Sequence, residues 1–210
     1  MLTRRKLLLT AGAGTAFGLS WPAMANFELP PHRHIARIEA RLQIWREHAM
    51  TQRDVLLNSA EPHIAKWRAL SAAIPNAPDK QLLEGVNSLI NSEITYRSDY
   101  EVHQTSDFWA TLDDALVYGG DCEDYALAKA TTLGFHGWTE ERMHLVVGIL
   151  WRGGNKIPHA ILVVEDKRGN FWALDNLLSS VRLAEEMPMR PIYGVDTKGT
   201  WLFTRAPSKT

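Results

Sequence analysis

The sequence predicts an α+β fold with a largely antiparallel sheet, and three observations carry that expectation. Apolar residues recur at helical spacing through roughly the first third of the chain. A glycine pair and an acid-rich helix start, GGDCEDYALAKA over residues 119–130, mark the middle. Runs rich in Val, Ile, Leu and Trp then follow in quick order, split by short turn signals.

Taken in order, the chain opens on MLTRRKLLLTAGAGTAFGLSWPAMA. Arg4, Arg5 and Lys6 precede an apolar run from Leu7 to about Ser20 and then the small-residue pattern Ala23-Met24-Ala25, the layout of an export signal cleaved after about Ala25. The paired arginines give it a twin-arginine character, so the expected location is the periplasm. Residues 26–210 then form one domain, long enough for a sizeable core and with no further stretch apolar enough to span a membrane. Losing the three signal cations leaves 20 Lys+Arg against 24 Asp+Glu, a balance of -4. That mild acidity argues against nucleic acid as a partner.

From His34, the positions Ile35, Ile38, Leu42 and Trp45 predict a first helix. A second follows Glu61-Pro62 through Ile64, Trp67, Leu70 and Ile74, and Pro75 to Pro78 end it. Asp79 caps a third, through Leu82, Leu83, Val86, Leu89 and Ile90. The stretch from Asn91 to Gly120, with Tyr96, Tyr100, Phe108 and Trp109, reads as irregular. Asp121 caps the next helix and Asp124, three residues on, completes a box-like cap, which puts Cys122 in the first turn. Strands are expected over His144–Trp151, Pro158–Glu165 and Asn170–Asp175, with further ones near Ile192–Val195 and Gly199–Thr204.

Cys122 is the only cysteine, so an internal disulfide is excluded. A reactive cysteine works as the thiolate, and the helix N-terminus favours that form by only ~0.3–1 kcal/mol. Asp121, Glu123 and Asp124 oppose it. A base must come from elsewhere, and His159 lies in an otherwise apolar strand, IPHAILVVE, where a buried imidazole needs a partner. Asp175, at the end of NFWALD, needs one too. If the loop Lys167-Arg168-Gly169 is three residues with Gly169 left-handed, Ile161 faces Asp175 and His159 faces Leu177, making imidazole and carboxylate diagonal neighbours. A two-residue loop would separate them to opposite faces. His144, at the start of a strand, is the one serious rival base. Singly, each residue also has a bland reading: a small buried hydrophobe, a satisfied core histidine, a turn cap.

GGDCEDYALAK, followed by PHAILVV and WALDNL, resembles the bacterial transglutaminase-like cysteine peptidases, the group that includes periplasmic adhesin-cleaving proteases of LapG type. The likeness runs over most of Leu82 to Phe203, with Leu112 and Asp114 standing where a proline and a glutamate are expected. It implies a papain-like arrangement with the cysteine helix packed on the antiparallel sheet. It also implies a catalytic triad of Cys122, His159 and Asp175, and a Ca2+ held by Asp121 and Glu123, with Asp124 the nearest further acid. A bound cation would invert the effect of those carboxylates on the thiol. The implied partners are a large surface adhesin as protein substrate and an inner-membrane regulatory receptor. Two other readings stay open at this point: a transglutaminase or deamidase acting on glutamine side chains, and a non-catalytic calcium-binding interaction module.

Overall fold

The computed structural model describes residues 40, 43, 44, 53, 55–76, 79–196 and 199–203. The export signal, the proline-bearing lead-in and Thr204 lie outside the described residues, as does the helix expected from His34 apart from residues 40, 43 and 44, which are helical. Among the described residues no helix is long and apolar enough to cross a membrane.

Helix α1 (Pro62–Ala72) starts on a proline, whose missing N–H is an orphan at that position in any case. Helix α2 (Asp79–Glu93) buries Leu82, Leu83, Val86, Leu89 and Ile90, the stripe read from the sequence. The stretch expected to be irregular holds two short helices, α3 (Asp99–His103) and α4 (Leu112–Tyr118). Each is made by its cap rather than by apolar periodicity. Ser98 and Glu101 exchange hydrogen bonds in a capping box before α3. Thr111 accepts the Asp114 N–H before α4, while Leu112 is buried, so the two positions that depart from the family pattern build a helix start.

Helix α5 (Cys122–Phe135) is the centre of the molecule. Leu127, Ala130 and Leu133 pack on the sheet residues Leu145, Leu162 and Val164. Tyr125 and Ala128 turn instead to Ile64, Trp67, Ile90 and Leu112 of the surrounding helices. A helix that is apolar on nearly every side is an interior helix, so the cysteine-bearing segment is held by packing on two fronts. Truncating fully buried Leu133 to alanine should cost about 2–5 kcal/mol.

The sheet follows, its first four strands a meander and β5 returning beside β1: β1 (Met143–Arg152), β2 (Asn155–Glu165), β3 (Phe171–Leu174), β4 (Arg182–Leu183), β5 (Met189–Asp196) and β6 (Gly199–Leu202). All pairs are antiparallel, in the order β4-β3-β2-β1-β5-β6. The two-residue edge strand β4 is the one strand the sequence does not announce, being too short to show alternation. Arg152 pairs with Asn155 across Gly153-Gly154, both at positive φ, which is the backbone a two-residue hairpin requires. The β2–β3 loop is Lys167-Arg168-Gly169, with Asp166 N–H bonded to the Asn170 carbonyl at 2.8 Å and Gly169 at φ 82°. Leu162 therefore faces Leu174, the register expected from a three-residue loop. Ala160, Leu162 and Val164 meet the cysteine helix, whereas Ile161 and Val163 join Val146, Ala173, Ala184 and Met187 in a second cluster on the other face.

Candidate active site

The approach to Cys122 is shaped by Gly119 and Gly120. A Cβ on Gly119 would lie 2.5 Å from the Thr95 carbonyl oxygen, and one on Gly120 would lie 2.5 Å from Asp124 Oδ2. The chain threads between these atoms only without side chains. It is pinned on one flank by Gly120 N–H donating to Thr95 O at 3.1 Å and Arg97 N–H donating to Gly120 O at 2.9 Å. On the other flank, Asp124 accepts the Asp121 N–H at 3.0 Å through Oδ2 and the Ala110 N–H at 2.7 Å through Oδ1. The residue expected to complete the cap does so, and it also ties down the segment beside Trp109. Trp109 itself is buried in the main core.

Cys122, half-buried, is the first residue of α5. Its thiol donates to Glu123 Oε2 at 3.1 Å, and its sulfur accepts the backbone N–H of Ala160 at 3.3 Å. Strand N–H groups lie in the sheet plane, and even-numbered residues of β2 direct theirs toward β3, as the Asp166–Asn170 bond shows. Strand β3 ends at Leu174, opposite Leu162. The next such N–H, that of Ala160, has outrun its strand partner, and the sulfur occupies the vacated position at the sheet edge. His159 is the neighbouring residue.

The His159 ring meets Asp175, Nε2 to Oδ1 at 2.8 Å, and both side chains are buried. Asp175 also accepts the Leu177 N–H at 2.9 Å, while Asn91 holds its backbone carbonyl at 3.0 Å. Burial alone would raise the Asp175 carboxyl; the His159 hydrogen bond and charge, the Leu177 N–H and the Lys129 charge together hold it below the usual range. The diagonal pairing expected from the loop length is thus present. Gly148 lies directly opposite His159, and a Cβ there would stand 2.3 Å from the Arg190 carbonyl at the bulge between β1 and β5.

His144, the rival base, pairs with Asp196, Nδ1 to Oδ2 at 3.0 Å. It stands opposite Val163, four residues along β2 from His159, or about 13 Å by strand rise. That distance removes it from the sulfur.

Burial pushes the Cys122 thiol far up, and the Glu123 and Asp121 charges push the same way, against the Ala160 N–H. Asp121 is itself driven strongly up by burial and by Glu123, Asp124 and Asp99. Asp124 is pushed up to about 7, mainly by burial. Sequence reasoning found three acids here, whereas the fold brings five. Carboxylate oxygens of Asp99, Asp107 and Glu123 lie within 4.8 Å of one another, as do those of Asp99, Asp121 and Asp124. Asp99 Oδ1 and Asp121 Oδ1 are buried with no hydrogen-bond partner among the described residues. Converging carboxylates with spare buried oxygens form a donor set that fits a hard cation such as calcium. Asp124 has an N–H on each oxygen, which suits it to holding the loop. Asp99 and Asp107 escaped notice because they sit far upstream in a stretch with no periodicity; the Ser98–Glu101 capping box was the one legible signal near them.

Comparison with known proteins agrees with this architecture. The sequence profile of the bacterial transglutaminase-like cysteine proteinases (BTLCP) matches residues 54–199. Calcium-bound LapG of Legionella pneumophila superposes with a TM-score of 0.57 at 23% identity, over 83% of this chain and 91% of that one. EGTA-treated LapG of the same organism gives 0.56 at 24% identity, over 80% and 86%. No curated protein sequence matches the chain. The fold is of the transglutaminase-like α+β type, and the chain belongs to the bacterial transglutaminase-like cysteine proteinases and is a cysteine peptidase.

Proposed function

We propose that the protein is a calcium-dependent periplasmic endopeptidase that cuts a large surface adhesin, with Cys122 as nucleophile, His159 as base and Asp175 as the orienting acid. The observation that carries this reading is the buried His159–Asp175 pair at 2.8 Å, one residue from the N–H that holds the Cys122 sulfur. With Nε2 committed to Asp175, His159 keeps Nδ1 for the thiol proton. The thiol turns from Glu123 to the imidazole, the sulfur attacks the peptide carbonyl, and His159 returns the proton to the leaving amine. Water then resolves the acyl-enzyme by the same route. The Ala160 N–H favours the charged sulfur, and the Cys122 N–H, in the first turn of its helix, suits a developing oxyanion.

Asp121, Glu123, Asp99 and Asp107 would hold the calcium ion, with Asp124 fixing the loop. When bound, the ion would neutralise the carboxylates that otherwise oppose the thiolate. The substrate class and an inner-membrane receptor as regulatory partner rest on the resemblance of the GGDCEDYALAK, PHAILVV and WALDNL set to adhesin-cleaving members. The periplasmic location rests on the N-terminal signal.

Surface proteomics of cells carrying Cys122→Ala tests the reading: one large surface protein should stay attached that wild-type cells release. In vitro, EGTA should abolish cleavage, and Asp121→Ala with Glu123→Ala should be inactive and indifferent to added calcium. Full activity in EGTA would remove the metal, and incorporation of a labelled amine into glutamine without chain cleavage would overturn the peptidase assignment.

A further inference from the structure

The extended segment 95–97 forms an isolated parallel bridge through Tyr96 and Gly120, two residues before Cys122. The bonds of that bridge use the Thr95 carbonyl and the Arg97 N–H. Main-chain groups alternate sides along an extended strand, so the N–H and carbonyl of Tyr96 itself point away from Gly120. Among the described residues no hydrogen bond takes either group. All three residues are exposed, Tyr96 at 60%. A short strand edge with a free donor and acceptor thus borders the nucleophile.

We propose that Tyr96 is the substrate-docking edge of this site: an extended peptide adds to it as a strand, and the Tyr96 N–H and carbonyl bind the peptide main chain beside the scissile bond. This rests on the assignment of Cys122 as nucleophile. The bound class is an unfolded or linker segment, since a helical peptide has no main-chain groups to offer. Recognition through two main-chain bonds is tolerant of sequence but strict about conformation. The edge does not exist apart from the cysteine loop, because the pairing that straightens residues 95–97 is with Gly120.

The test compares alkylation of Cys122 by two probes in calcium-containing buffer, read by intact mass. Iodoacetamide has no peptide backbone to pair; acetyl-Ala-Ala chloromethyl ketone does, and forms its carbon–sulfur bond with loss of chloride. Tyr96→Pro removes the N–H and the side chain, whereas Tyr96→Ala removes only the side chain. The peptidyl rate should fall about tenfold in Tyr96→Pro and less than about threefold in Tyr96→Ala, the loss expected for one hydrogen bond. Iodoacetamide rates should stay within about twofold in both, which also reports an intact site. A probe N-methylated at the residue before the chloromethyl ketone residue tests the Tyr96 carbonyl on the unaltered protein and should likewise react about tenfold more slowly. Normal iodoacetamide labelling with an unchanged peptidyl rate in Tyr96→Pro, an equal fall in both variants, or an unaffected N-methyl probe overturns the edge and leaves the nucleophile standing. Failure of both simple probes on wild type overturns the nucleophile, and the edge with it.

Discussion

Among the described residues two buried His–Asp pairs lie on one sheet, and one of them adjoins the residue whose N–H meets the Cys122 sulfur. His159–Asp175 spans β2 and the end of β3 at 2.8 Å; His144–Asp196 spans β1 and β5 at 3.0 Å. By strand alternation both histidines share a face, since His144 stands opposite Val163 and His159 lies four residues earlier on the same strand. Chemistry of the pair does not distinguish them, and neither does burial. What differs is the sheet around them. His144–Asp196 joins the start of β1 to the last residue of β5, with His144 also opposite Val163 of β2, while His159 sits where β3 has already ended and the Ala160 N–H is left for Cys122. The ring nitrogens differ too: His159 bonds its acid through Nε2, His144 through Nδ1. Both pairs lie at strand ends, so what sets them apart is the backbone N–H left open beside His159 and the sulfur it meets.

The largest expected effect breaks this comparison most cleanly. His159→Ala should lower kcat/KM by about 10³-fold or more, as for loss of a triad base, while His144→Ala should change it less than about threefold per folded molecule. Comparable losses in both would merge the two pairs into one function. Next, Asp175→Asn should cost about 10²-fold or more in kcat/KM with the fold retained, since it releases the imidazole from its acid. Asp196→Asn should instead cost stability, about 1–3 kcal/mol by denaturant titration, because it weakens a buried hydrogen-bonded pair that ties the start of β1 to the end of β5. A stability loss confined to Asp175→Asn would invert the assignment.

The smallest effect concerns a third charge near one pair only. Lys129 on α5 is fully buried, its amine has no hydrogen-bond partner among the described residues, and its charge acts on Asp175. Burial pushes its ammonium down to about 7, with Asp175 opposing. Between about pH 7 and 10 the unfolded chain therefore holds a proton that the folded chain lacks, and stability rises with pH across that window by on the order of 1 kcal/mol per unit. The penalty is fully present below the folded value. Lys129→Met should be more stable than wild type at pH 6, with the difference shrinking toward pH 10 in parallel melts. A constant difference would show that Lys129 is not carried as a strained cation.

Much of this site was legible because local rules determine it. The DKRG loop, read as three residues, fixes the register that makes His159 and Asp175 diagonal neighbours, and the observed pairing of Leu162 with Leu174 follows from that loop. The helix start at Cys122 is a matter of Asp121, which stands at the N-cap position, and Asp124, whose carboxylate takes the Asp121 N–H as expected. What was not legible is what depends on tertiary placement. Asp99 and Asp107 reach the cysteine loop through a stretch whose two short helices rest on Ser98 and Thr111 caps, with no periodic signal to place them. The Ala160 N–H and the Tyr96 edge are backbone groups, which every residue carries, so nothing in a sequence marks them. Their roles come from where a neighbouring strand stops or starts.

Alkylation of Cys122 by iodoacetamide as a function of pH, in calcium, tests the central claim most directly: that His159, beside the Ala160 N–H left open where β3 stops, is the base of this thiol. Wild type should alkylate nearly as fast at about pH 6 as at about pH 8, the behaviour of a thiol held as thiolate by an adjacent imidazolium. His144→Ala should match it, while His159→Ala should lose about tenfold or more at the lower pH. A His159→Ala profile that superposes on wild type would contradict the account.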